Sequence, residues 1–176
     1  MIHRFDWPDR FVTGTVGVPG QRTFFLQARE GSRVVSVVIE KQQSAALADG
    51  VDTLLDDLMG HDGNPFGIPA EASEGLRDDE PLDEPVIETF RVGAMTLAWD
   101  PSSAQVVIQA VPWVEDEEER AEGADPEQAL VVSIPIGTAR AFADRARRVV
   151  RQGRPLCPVC EEPMDPSGHV CPIDEA

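Results

Sequence analysis

All three cysteines of the chain fall within its last twenty residues, as Cys157-Pro158-Val159-Cys160 and, after eight intervening residues, His169-Val170-Cys171. A C-x-x-C turn with proline in second place brings two thiolates to one point. His169 and Cys171, two positions apart in an extended segment, project to the same side and add two more candidate ligands. Cys157, Cys160, His169 and Cys171 therefore make a closed tetrahedral zinc set. Asp165-Pro166-Ser167-Gly168 supplies the turn that folds the second pair over the first. Four protein ligands leave no open coordination position, so the expected zinc is structural rather than catalytic. A redox C-x-x-C is the first rival, but such motifs sit at a helix N-terminus after a strand, and this one follows a helix and Gly153-Arg154-Pro155. A disulfide is the second, and it would leave one of three cysteines unpaired in a chain expected to be cytoplasmic. A segment this short has no core of its own, so metal binding would supply its folding energy and the tail would be disordered without zinc.

The elements that carry this knuckle repeat themselves. Residues 11–18, 22–30 and 33–39 are rich in Val, Phe and Thr and are separated by Pro19-Gly20-Gln21 and Gly31-Ser32, which predicts three strands joined by tight hairpins. From Lys41 to Met59, Leu47, Val51, Leu54, Leu55 and Leu58 recur at helical spacing, with Gly50 as a weak point. The second half follows the same plan. Residues 89–99 and 104–111 form a hairpin around Asp100-Pro101-Ser102-Ser103, residues 128–134 a third strand, and residues 138–152 a helix with Thr138 as N-cap. A shift of 95 lays Leu47, Val51, Leu54 and Leu55 on Phe142, Ala146, Val149 and Val150, and Phe11 and Gly14 match Phe90 and Gly93. The expected fold is α+β: two βββα repeats packed with pseudo-twofold symmetry, plus a small C-terminal zinc knuckle. Its divisions are 1–70 for the first unit, 71–88 for an acidic linker, 89–153 for the second unit with an acidic insertion at 115–127, and 154–176 for the knuckle.

Charge narrows the possible partners. The 176 residues carry 15 Lys+Arg against 32 Asp+Glu, a formal charge of −17, which opposes nucleic acid or an anionic membrane as the main partner. Residues 71–88 and 115–127 each hold eight acids and one base, so the two segments account for 14 of those 17 units. Rich in Pro, Gly, Ala and Ser and without apolar period, both are expected to be solvated loops outside the sheets. A metal-binding or basic-partner-binding acidic arm is the functional alternative. Against this background Arg140, Arg145, Arg147, Arg148, Arg151 and Arg154 make the last helix and its exit locally basic. Either they complement the helix C-terminus and pair with the acidic loops, or they offer a route to nucleic acid. With 41% apolar residues the chain can build a core, and no apolar run approaches membrane-spanning length, so a cytoplasmic protein is expected.

Groups for catalysis are scarce. Besides His169 the histidines are His3 and His61, there is no Tyr, and no phosphate loop, nucleophile elbow or H-E-x-x-H helix is present. The loop Gly60-His61-Asp62-Gly63-Asn64-Pro65-Phe66-Gly67 could place a base near a pocket, although its composition is that of a turn. Trp7, Trp99 and Trp113 are expected in the core or between the halves, and the rings around Trp7 against the first sheet.

Asp9-Arg10-Phe11-Val12, Gly14-Thr15-Val16-Gly17, the run from Gly20 to Arg29, the helix entry Glu40-Lys41-Gln42-Gln43, and Gly153-Arg154-Pro155 with the Cys-Pro-x-Cys and Gly168-His169-Val170-Cys171-Pro172 carry a further signal. Over nearly the whole chain they resemble the uncharacterised actinobacterial family catalogued as domain of unknown function 3090. The resemblance implies a cytoplasmic house-keeping or redox context and no defined activity. The final Pro172-Ile173-Asp174-Glu175-Ala176 departs from the basic tail of that family. The reading that joins these observations is a zinc-binding, non-enzymatic adaptor or regulatory protein with a protein partner, docking through an exposed basic helix and the knuckle. The alternatives are an enzyme or small-ligand-binding protein with a pocket between the repeats, and a single-stranded nucleic-acid binder.

Overall fold

The structure, a computed structural model, describes residues 1–18, 20–115, 126–152, 157–161, 164 and 171. Its elements are β1 (Ile2–Phe5), β2 (Arg10–Val16), β3 (Thr23–Glu30), β4 (Arg33–Ile39), α1 (Lys41–Met59), a 3-10 turn (Glu74–Leu76), β5 (Glu88–Asp100), β6 (Gln105–Pro112), β7 (Ala129–Pro135) and α2 (Ile136–Arg151). The seven strands form one sheet in the order β1-β7-β6-β5-β4-β3-β2. β2-β3-β4-α1 and β5-β6-β7-α2 share one element order and join edge to edge where β4 lies parallel to β5, with β1 as a seventh strand beside β7. Among the described residues no helix is long and apolar enough to cross a membrane.

The hairpins fall where the turn residues direct. Gly31, at φ +60°, closes the β3–β4 turn, and Asp100 Oδ1 accepts from the Ser102 N–H at 3.0 Å to close β5–β6. Two boundaries differ from expectation. Residues 2–5 form a strand, β1, that pairs in parallel with β7; only Phe5 in it is buried, which is too short a period for sequence patterning to register. The last helix starts at Ile136, directly after β7, so Thr138 lies inside it and Pro135 holds the N-cap position.

Alternation on the strands sends one set of side chains to both helices. Leu26, Val37, Ile108 and Val132 pack in one core with Leu47, Val51 and Leu55 of α1 and Phe142, Ala146 and Val149 of α2. The helices reach across the halves: Phe142 of α2 stacks on Phe11 of β2 with centroids 4.6 Å apart, and α1 approaches β5. Gly50 serves that approach, because a Cβ there would lie 2.7 Å from Leu97 Cδ1. The matched glycines Gly14 and Gly93 are both points of close contact. A Cβ on Gly14 would meet Leu82 Cδ2 at 2.5 Å, and one on Gly93 would meet Trp113 Cα at 2.6 Å. Of the tryptophans only Trp99 joins the core, edge-on to Phe66 at 4.9 Å, whereas Trp7 and Trp113 are 59% and 54% exposed.

The linker at 71–88 lies outside the sheet up to Glu88 and is mostly exposed, as expected of a loop, but its stretch from Asp78 to Val86 is bound to the fold. It is an ordered strap bound around the β2 edge of the sheet. Leu82, with Val86 beside it, covers Val12, Phe25 and Val38 on the face opposite the helices. Arg145, 6% exposed, donates through Nε to Thr13 O at 2.9 Å and through its terminal nitrogens to Asp78 O at 2.6 Å and Glu80 O at 2.7 Å. Arg10 binds Asp78 with Nε and one terminal nitrogen, at 2.6 and 3.0 Å, and reaches Asp83 at 3.2 Å. Such bidentate, partly buried pairs, unlike exposed ones, hold a geometry. Burial alone would raise the Asp78 pKa. The Arg10 hydrogen bond, the Glu80 N–H and the charges of Arg10 and Arg145 outweigh it and hold this carboxyl below its ordinary value.

Two outcomes follow. Replacing Gly93 with Ala forces the new methyl into backbone that cannot yield, and should cost about 1–3 kcal/mol in urea unfolding. Because the folded pKa of Asp78 is depressed, its contribution is complete above the unfolded value of 3.8 and is lost as pH falls through the lower folded value. Stability measured between about pH 5 and pH 2 should therefore fall less steeply in Asp78→Asn than in the parent chain.

Candidate metal centre

The Cys157 turn is set by its own backbone. Glu161 N–H donates to Cys157 O at 2.9 Å, and Glu161 takes φ +62°, turning the chain so that Cys157 and Cys160 face one point. Cys171 joins them, and the three Sγ atoms all lie within 4.8 Å of one another. A tetrahedral ion with Zn–S bonds of about 2.3 Å spaces its sulfurs by roughly 3.8 Å, so a small inward shift suffices to ligate one. Cys157 and Cys171 are buried, Cys160 is half-buried, and none of the three is in a disulfide. His169 lies outside the described residues, as do Arg154 and residues 116–125 of the second acidic segment.

The cluster favours thiolate. The backbone N–H groups of Cys160 and Val159 point at the Cys157 sulfur; burial opposes them, and the neighbouring Cys160 and Cys171 side chains add further hydrogen bonds. Together they bring the Cys157 thiol down to about 6 from 9.0. The thiolate is the ligand form, so this lowers the proton cost of binding a soft or borderline divalent ion.

The other expected site residues have structural partners. The exposed basic helix is corrected: α2 is packed inside the molecule and its arginines are largely matched. Arg140, 4% exposed, donates to Asp52 and Asp56 of α1, both at 2.7 Å, and to Pro69 O at 2.9 Å. Arg147 pairs with Asp52 and Asp49, and Arg148 with Asp144 and Asp79. The spacing of Asp49, Asp52 and Asp56, three and four apart on one helical face, was the sequence signal for this seam. Arg151 is exposed near the helix end. The His61 loop is a turn held by Asn64, whose side chain bonds the Ile68 backbone in both directions at 2.9 Å, with Ile68 buried beneath it.

One cavity of about 430 Å³ lies between β2 of the first half, α2 of the second and the strap. Gly14, Thr15, Leu82, Val149 and Gln152 line it together with arginines and aspartates of the strap seam, and among the described residues neither histidine nor cysteine does.

Alkylation of the reduced, metal-free chain, followed residue by residue by mass spectrometry, should show Cys157 half-reactive near pH 6 if the turn stands without metal. A midpoint at the ordinary thiol value would mean that the turn forms only once a metal is bound.

No curated protein matches the chain, and no solved structure does. A family model described as "Protein of unknown function (DUF3090)" matches residues 3–171, a span that runs from within β1 through the other described strands, the strap and both helices to the three cysteines. The chain belongs to the DUF3090 family.

Proposed function

We propose that the protein is a zinc-binding, non-enzymatic adaptor or regulatory protein of the cytoplasm, with Cys157, Cys160, His169 and Cys171 closing a tetrahedral structural site. The observation that carries this reading is the convergence of three sulfurs within 4.8 Å on a turn whose backbone stabilises thiolate. Thiolates select zinc or other soft ions over magnesium and calcium, and one imidazole completes a common structural set. His169 is in reach by sequence, two residues before Cys171.

The pocket between the halves favours the adaptor over an enzyme. On its wall Arg145 pairs with Asp78 and Arg77 with Asp79, and among the described residues no histidine or cysteine lines it. Binding of single-stranded nucleic acid through α2 has little support, because Arg140, Arg145, Arg147 and Arg148 already face carboxylates. The shared strand-strand-strand-helix order, with each helix contacting the first strand of the other half, supports an internal duplication with pseudo-twofold packing.

Zinc content of protein purified under reducing, chelator-free conditions tests the proposal. About one equivalent is expected, falling sharply in Cys157→Ser and in His169→Ala. Less than about half an equivalent in the parent chain would remove the zinc reading.

A further inference from the structure

An extended peptide offers a receptor its backbone amides, its side-chain anchors and its charge. The strap from Asp78 to Asp83 has all three answered. Gln27 pairs with the backbone of Asp83 in both directions, its Nε2 donating to Asp83 O at 3.0 Å and its Oε1 accepting from Asp83 N at 2.8 Å. Arg10 donates to Pro81 O at 2.9 Å and Glu80 O at 2.8 Å, while Arg145 takes Asp78 O and Glu80 O. Leu82 is the apolar anchor, seated over Gly14 among Val12, Phe25 and Val38. Asp78 and Asp83, on either side of it, are held by Arg10, with Arg145 also on Asp78 and Arg29 on Asp83.

The groove is also larger than its occupant. The cavity of about 430 Å³ opens beside the strap, and Thr15, Val149 and Gln152 on its far wall leave room for a bulkier segment. With the strap lifted, the groove would present Arg10, Arg29, Arg145 and Arg148, with Asp144 as the acid paired to the last. That field is complementary to an acidic chain inside a molecule whose net charge is −17.

We propose that this groove is a docking site for an acidic, extended segment of a partner protein, with carboxylates flanking a leucine at the spacing of Asp78, Leu82 and Asp83, and that the strap occupies it in cis as an autoinhibitory mimic. The site is separate from the cysteine cluster and stands whether or not a metal binds there; it gives the adaptor reading its class of partner. Tethering presents the strap at an effective concentration on the order of millimolar, so a partner displaces it only by binding the groove more tightly or by a second contact.

The probe is a fluorescein-labelled peptide with the sequence of residues 76–86, followed by fluorescence anisotropy on the full chain. Leu82→Ser with Asp83→Asn loosens the strap and leaves the groove intact. The peptide should bind this double variant at least about tenfold more tightly than the parent, and lose that gain when Gln27→Ala is added. A peptide of the same composition in scrambled order should not bind. Equal binding of the scrambled peptide, equal binding to parent and variant, or no binding to a folded variant would each overturn the proposal, the last leaving a purely structural strap. Should the double variant fail to fold, hydrogen exchange on the parent chain decides: excess unlabelled peptide should speed exchange of the residue 78–83 amides several-fold, and unchanged exchange would refute the groove. Zinc content is read separately, so the metal reading and this one fail independently.

Discussion

A buried guanidinium cannot be left short of acceptors, and Arg145 is where this protein meets that constraint. Burial pushes its pKa below the ordinary arginine value, with Arg10 and Arg148 adding to the effect and Asp78 opposing it. Its hydrogen bonds go to a carbonyl of β2 and to two carbonyls and a carboxylate of the strap. One side chain of the second half therefore holds the edge strand of the first half and the segment that connects the two. Removing one partner from such a cluster leaves uncompensated buried charge, a penalty on the order of 3–5 kcal/mol unless another group takes its place.

The same logic reassigns the acidity of the chain. Solvated carboxylates would contribute solubility and little else. Here Asp78 is a partly buried partner of Arg10 and Arg145 and Asp83 of Arg10 and Arg29, and Asp49, Asp52 and Asp56 on α1 face Arg140 and Arg147 on α2. The helix–helix seam combines an apolar stripe with a row of arginine–carboxylate pairs. Apolar contact supplies the bulk of the attraction, and the paired charges select the register at which the two helices meet.

Two chemically different surfaces then stand out. The cysteine cluster is a local device, made by a short turn whose amides stabilise thiolate. The strap seat is a long-range device, assembled from β2, β3 and α2, that holds backbone, leucine and carboxylates of the chain's own linker together.

Features that depend on near neighbours were legible in the chain itself. The hairpins, both amphipathic helices and the meeting of Cys157, Cys160 and Cys171 follow from periodicities of two and 3.6 and from turn residues. The paired glycines Gly14 and Gly93 were visible as a repeat but not as contact points, because what approaches them, Leu82 and Trp113, is set by packing. The binding of the strap was not legible for a physical reason: composition reports whether a segment can fold alone, and this one is held by arginines that lie up to 73 residues away in sequence. Formal charge shows that α2 carries arginines and allows their pairing with acids, but not which acids of α1 and the strap they meet. Local sequence determined the elements and the thiolate cluster. Tertiary structure alone decided which charges are buried together, because a buried ion pair forms only where the fold brings both partners out of water.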